Sequence, residues 1–240
     1  MSATAAQKTP ATPATELAIA ARGLSLGYGS LPYVTELDLE VKRGEIVAVL
    51  GANGAGKSTT IMGLAGALKP YAGHVEINGE VTTAPMRMRA RQGLAVVTQE
   101  RCVFMGMTVR DNLRAGGVTV EAALEYFPEL EEHVGRTVGF LSGGQQQMLA
   151  AARAIARRPK ILLADELSLG LAPKIVDRIL EVLERACREE NLGVLLVEQQ
   201  VVKALSVAHR GVVLRRGRLE LEGTATELKS RLDEVQALYL

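Results

Sequence analysis

Gly51-Ala-Asn-Gly-Ala-Gly-Lys57-Ser58 decides the fold of this 240-residue chain. It fits the pattern G-x-x-x-x-G-K-[S/T]. On its N-terminal side, Glu45-Ile-Val-Ala-Val-Leu50 is apolar on consecutive positions and reads as a fully buried strand. On the other side, Ser58 to Leu68 reads as a helix. Glycines let the backbone wrap so that consecutive N–H groups aim at phosphate oxygens, and the helix N-terminus adds its positive end. The Lys57 ammonium can reach β- and γ-phosphates, while the Ser58 hydroxyl can ligate Mg²⁺. A chance glycine-rich turn matches the pattern in roughly 1% of chains of this composition, and the strand–turn–helix setting lowers that further. The loop reads as a nucleoside triphosphate site.

Working outward, Ala95-Val-Val, Ile161-Leu-Leu-Ala and Val194-Leu-Leu-Val are three more short apolar runs. Helical patterns at Gly144 to Ala156 and Ile175 to Arg188 lie between them. Buried strands alternating with helices predict an α/β fold with a parallel sheet covered on both faces. Leu17-Ala-Ile-Ala-Ala and Leu37-Asp-Leu-Glu-Val alternate in polarity and read as half-buried strands. Residues 100 to about 158 hold no buried strand of this kind and read as an inserted helical subdomain. Residues 1–15 contain five Ala, four Thr and two Pro with Lys8 the only charge, which predicts a disordered tail rather than a signal peptide. Order is expected to begin near Glu16, and no internal repeat is visible.

Composition narrows the function. The chain is 48% apolar and 23% charged, as globular domains are, and its length allows one or two of them. Its net charge of +1 gives no general attraction to nucleic acid or acidic lipid. The longest apolar runs are strand-length, far short of the roughly 20 residues of a membrane-spanning helix. Cys102 and Cys187 are too few for a disulfide scaffold, point to a reducing compartment and read as small buried hydrophobes. His74, His133 and His209 share no metal-ligand spacing and read as solvated or capping residues. Met86-Arg87-Met88-Arg89-Ala-Arg91 reads as a solvated helix face.

Ile161-Leu-Leu-Ala-Asp165-Glu166 ends an apolar strand in two carboxylates. A strand tip sends successive side chains in opposite directions, so Asp165 can join a Mg²⁺ shell while Glu166 orients or deprotonates an attacking water. Alone, such an ending reads as solvated acids; beside a phosphate loop it reads as the other half of a site. Leu141-Ser142-Gly143-Gly144-Gln145 precedes a helix and is either a second anion cradle or an N-terminal cap led by Ser142. One phosphate site has no use for two cradles in one chain. A head-to-tail pair resolves this, each cradle covering the nucleotide held by its partner's loop.

With these motifs in this order, the chain from about residue 16 onward resembles the ATP-binding cassette (ABC) ATPases. The resemblance implies one domain over 16–240, beyond the tail. It comprises a P-loop NTPase (RecA-like) core over 16–99 and 159–240, an N-terminal antiparallel β portion, and a helical subdomain inserted over about 100–158. It implies ATP and Mg²⁺, with Tyr28 stacking on adenine and Gly51, Asn53, Gly54, Ala55, Gly56, Lys57, Ser58 and Thr59 around the phosphates. Ser142, Gly143, Gly144 and Gln145 would then reach the nucleotide across a dimer. Metal contacts fall to Ser58, Gln99 and Asp165, and the catalytic set to Glu166, Lys57, Gln99 and Gln199. Gln99 also answers to a membrane partner.

A narrower resemblance, to the LivF type of branched-chain amino acid importer ATPase, rests on several segments. They are the phosphate loop, Val103-Phe with Met107-Thr-Val, Phe127-Pro-Glu-Leu, Ser168-Leu-Gly-Leu-Ala-Pro173, Leu196-Val-Glu-Gln and Ala237-Leu-Tyr-Leu. It implies a second, different ATPase subunit, two membrane permeases, an extracytoplasmic binding protein and a peripheral place on the cytoplasmic face; a homodimer is the alternative pairing. Val103, Phe104, Met105 and Met107 read either as subdomain core or as a groove for a permease helix, which the resemblance favours. The chain departs from most relatives in three ways. Gln199 stands where a histidine contacts the γ-phosphate, and an amide donates a hydrogen bond but carries no charge. Slower hydrolysis at this subunit's loop is therefore expected. Leu167 replaces a proline after Glu166, and Ser168-Leu-Gly-Leu lacks an aspartate. Two other functions fit these residues less well. A soluble cassette acting on nucleic acid or ribosomes is disfavoured by the single loop, single signature and net charge, so no nucleic acid is expected. A regulatory, weakly hydrolysing subunit is disfavoured by the retained Lys57, Ser58 and Glu166.

Overall fold

Alternation along one short strand organises the molecule. In the computed structural model, which describes residues 17–239, the run before the glycine loop forms β3 (Ile46–Leu50), every residue buried. Ile46, Ala48 and Leu50 point into one apolar core, and Val47 and Val49 into another. A strand covered on both faces must be apolar at consecutive positions, which is why this segment was legible.

β3 lies in a six-stranded sheet in the order β10 (Arg218–Thr224), β9 (Arg210–Arg215), β3, β8 (Gly193–Val197), β7 (Ile161–Asp165), β6 (Leu94–Val97). All pairs are parallel except β9 with β10. Ala48 lies opposite Leu196 on one side and Gly211 on the other. A four-stranded antiparallel sheet holds β2 (Leu31–Lys42), β1 (Leu17–Tyr28), β4 (Ala72–Ile77) and β5 (Glu80–Thr82), in that order. The expected α/β class with an antiparallel portion is thus present. The tail expected at residues 1–15 lies outside the described residues.

Helix α1 (Lys57–Ala65) packs Ile61, Leu64 and Ala65 into the core shared by the two sheets. It stops earlier than the sequence predicts because Gly66 turns left-handed at φ 80°. Between β6 and β7 the chain forms α3 (Val109–Ala115), α4 (Val120–Leu124), two 3₁₀ turns (Pro128–His133 and Val138–Phe140) and α5 (Gly143–Ile155), with no strand. After β7 come α6 (Pro173–Glu190) and α7 (Val201–Val207), and α8 (Ala225–Ser230) and α9 (Leu232–Ala237) follow β10. These helices build the second core around Phe127, Leu149, Leu183 and Leu205.

Two sequence readings are corrected. α2 (Met86–Arg91) is a helix, but Arg89 on it is buried rather than solvated. Its guanidinium donates to the carbonyls of Ala84 (2.7 Å), Gly63 (3.1 Å) and Leu64 (2.6 Å), the last two at the C-terminal end of α1, where Gly63 also takes the Gly66 N–H (3.0 Å). Cys102 is exposed, because it follows Arg101 in two successive left-handed residues (φ 59° and 48°) that lift it out of the fold. Cys187 is buried as expected, and burial pushes its thiol up to about 11.

Candidate active site

The glycine loop leaves β3 at Leu50 and enters α1 at Lys57. Gly51, Gly54 and Gly56 all have positive φ, at 144°, 79° and 102°. At Gly51 a β-carbon would stand 2.3 Å from the Leu214 carbonyl oxygen, so only glycine fits. No side chain caps the start of α1, which leaves its first amides for an anion. Lys57 is 4% exposed, and its Nζ donates to the carbonyls of Gly51 (2.8 Å) and Ala52 (3.0 Å). Burial draws its pKa down, while Glu166 and Asp165 oppose the fall. A buried ammonium is thus held at the mouth of the loop, 4.0 Å from Glu166.

Parallel pairing sets the end of β7 close to the end of β3, with β8 between them, and brings Asp165 and Glu166 to the loop. Asp165 is buried, and its Oδ1 has no hydrogen-bond partner. Burial raises its pKa; the Ser58 hydroxyl hydrogen bond opposes that. A dry, unsatisfied carboxylate oxygen beside a hydroxyl fits a hard divalent cation that takes oxygen ligands. Glu166 turns left-handed at φ 50°, its N–H donates to the Val197 carbonyl (2.9 Å), and its Oε1 accepts from the Gln199 amide (2.8 Å).

A cleft of about 610 Å³ gathers most of the expected residues. Its floor is Asn53, Gly54, Gly56, Lys57, Ser58 and Thr59; Gln99, Glu166 and Gln199 stand opposite. Tyr28 and Tyr33 form one wall, their rings edge to face at 5.6 Å, with Tyr28 half exposed. Ala55 lies on the far side of the loop, lining a smaller cavity with Leu238 and Tyr239. The structure does not bring Ser142, Gly143, Gly144 or Gln145 to this cleft. Within one chain they form a cap. The Ser142 hydroxyl accepts from the Gln145 N–H (3.3 Å), and the Gln145 side chain accepts from the Ser142 N–H (2.8 Å). Phe104, Met105 and Met107 are exposed rather than core, while Val103 packs against the core.

Sequence reasoning missed two contacts at the site. The Tyr239 hydroxyl accepts the Gly51 N–H (2.9 Å), so the far end of the described chain reaches the first amide of the loop. Glu198, 2% exposed, accepts from both the N–H (3.1 Å) and the hydroxyl (2.5 Å) of Ser168. The only signal for it was an acid directly after an apolar strand. Leu167 occupies the proline position as a buried core residue. No group of three or more metal-binding side chains of the His, Cys, Asp or Glu type occurs among the described residues.

The sequence profile of the ABC transporter family matches residues 34–168, more than half of the chain. The chain belongs to the ABC transporter family. It is 42% identical over 227 residues to the high-affinity branched-chain amino acid transport ATP-binding protein BraG of Pseudomonas aeruginosa. That match covers 90% of this chain and 97% of the relative. It is 37% identical to the probable branched-chain amino acid transport ATP-binding protein LivF of Archaeoglobus fulgidus, over 85% of this chain and 91% of the relative. Among solved structures, a dimeric bacterial ABC transporter cassette is similar with a TM-score of 0.77 at 27% identity, covering 86% of this chain and 98% of that one. An ABC cassette in its ADP conformation shares the fold with a TM-score of 0.83 at 23% identity, over 94% and 99%. This ABC subunit binds ATP and is an ATPase, and its relatives favour a transport role over one on nucleic acid or ribosomes. No helix among the described residues is long and apolar enough to cross a membrane.

Proposed function

We propose that this ABC subunit is the motor of an importer for branched-chain or related amino acids. The match to BraG along 90% of the chain supports this reading, and the meeting of Lys57, Asp165 and Glu166 beside the glycine loop supports the chemistry assigned to it. The subunit sits peripherally on the cytoplasmic face, paired with a second ABC ATPase and bound to two permeases served by an extracytoplasmic binding protein. A paralogous partner is the reading favoured by the LivF resemblance, a second copy of this chain the alternative.

ATP enters with adenine against Tyr28 and its phosphates on the loop amides and Lys57. The Asp165 carboxylate, the Ser58 hydroxyl and Gln99 would hold Mg²⁺. An ion held by these residues would supply neutralisation of the phosphate charge. Glu166 aims a water at the γ-phosphorus and accepts its proton as the bond from that phosphorus to the β–γ bridging oxygen breaks and ADP leaves. The Gln199 amide, now donating to Glu166, can swing one hydrogen bond to a γ-phosphate oxygen but brings no positive charge. Hydrolysis at this subunit's loop is therefore slower than at its partner's, a difference that single-site turnover in the complex would measure. The Ser142–Gln145 turn covers the nucleotide of the opposite subunit. Exposed Phe104, Met105 and Met107 face the permease.

The test is uptake of labelled leucine, isoleucine, valine and urea in cells lacking the gene. Restoration by the wild-type chain and not by Lys57→Ala is expected for one substrate class. Unchanged uptake of all four on deletion would overturn the substrate assignment. Glu166→Gln is expected to trap ATP without turnover; normal turnover would remove Glu166 from its role.

A further inference from the structure

A catalytic glutamate held at φ 50° needs something to fix its turn, and the proline that commonly follows it is replaced here by Leu167. The residues leaving β8 supply the hold. The Val197 carbonyl takes the Glu166 N–H, the Gln199 amide donates to the Glu166 carboxylate, and Glu198 between them accepts both donors of Ser168. Four hydrogen bonds from three consecutive residues thus pin Glu166 and the residue two places beyond it.

We propose that Glu198 is a positioning residue for hydrolysis: by holding Ser168 it fixes the turn that aims Glu166 at the attacking water. This rests on Glu166 being the water-activating residue. Glu198 is 2% exposed, and a buried carboxylate is costly unless its oxygens are satisfied. Both oxygens are, each by a different donor of one residue, which is a specific anchor rather than general packing. Burial pushes Glu198 above the usual carboxylate range and the Ser168 bonds oppose that, so the pair stands or falls together. An apolar side chain of similar size would fill this space at lower cost; a carboxylate there serves to fix direction. Ser168 is itself 6% exposed, while its neighbour Leu169 lines the nucleotide cleft, so slack at Ser168 passes to both Glu166 and the cleft wall.

The experiment compares Ser168→Ala, Glu198→Gln, the double variant and Ser168→Thr in the full chain within its transporter complex. The readouts are kcat and KM for ATP and the melting temperature. Ser168→Ala keeps the fold and removes one bond. It is expected to lower kcat roughly tenfold to a hundredfold, while KM stays within about twofold, because the phosphate loop is untouched. Ser168→Thr, which keeps both donors, restores turnover. The double variant is no slower than the slower single one, as for residues acting through one contact. A lowered melting temperature with kcat per folded molecule unchanged would overturn the proposal. So would KM rising in step with the fall in kcat, or losses that add. Glu166→Gln serves as control. If it is inactive while Ser168→Ala turns over normally, the anchor alone fails; if Glu166→Gln turns over normally, the reading of Glu166 fails and takes the anchor with it.

Discussion

A lysine amine shielded from water and held by two carbonyls is poised for a stronger acceptor, and phosphate is one. The residues that do this work were legible because their contacts are local. Gly51, Lys57 and Ser58 fall within eight positions, and Asp165 and Glu166 close one strand. The residues that were not legible act across the chain. Tyr239 meets Gly51 over a separation of 188 residues, and Glu198 meets Ser168 over 30, distances at which no local pattern reports a contact. Tyr239 gives a direct test. Burial raises its pKa, so the phenol stays neutral and accepts the Gly51 N–H throughout the physiological range. Tyr239→Phe keeps the ring and deletes one neutral hydrogen bond, a change of about 0.5–1.5 kcal/mol. ATP affinity, measured by calorimetry, is expected to weaken about two- to tenfold. Unchanged affinity would mean that the loop holds its shape without the tyrosine.

Among the elements, most strands buried on both faces announced themselves, since four or five consecutive apolar residues are too few for a buried helix and suit a covered strand. β3, β7 and β8 are of this kind. β4, β5 and β10 were missed because they are short or partly exposed, and β9, though buried, was missed because Arg210-Gly211 and Arg215 leave only Val212-Val-Leu as an apolar run. β10 alternates exposed and half-buried residues at the sheet edge, a pattern shared with many loops. α2 was read as a surface helix because its arginines look alike in sequence, and only packing singles out Arg89. The guanidinium of that residue closes the C-terminal end of α1, the helix that begins at the glycine loop. Removing it takes the guanidinium donor from the Leu64 carbonyl and one of two donors from the Gly63 carbonyl, in a dry setting. Arg89→Met, which keeps the stem, is expected to lower unfolding free energy by about 1–3 kcal/mol in a denaturant titration. A loss under about 0.5 kcal/mol would show those carbonyls finding water instead.

At the scale of the whole molecule, two cores share β3, and the site lies where the strand leaves them. One chain nevertheless gathers only part of the expected nucleotide contacts, because the Ser142–Gln145 turn does not reach its own cleft. The ATPase rate per molecule of the purified chain should therefore fall on dilution, as pairing is lost by mass action. A rate independent of concentration would show that one chain suffices.

The placement of the tyrosines has a further, optical consequence. The sequence has no tryptophan and five tyrosines. Tyr28 and Tyr33 wall the cleft, and Tyr239 touches the loop behind it. Three of the five rings that give the unlabelled protein its ultraviolet emission therefore stand around the cleft and its glycine loop. An adenine arriving beside Tyr28 should dim it, so the molecule carries its own binding gauge.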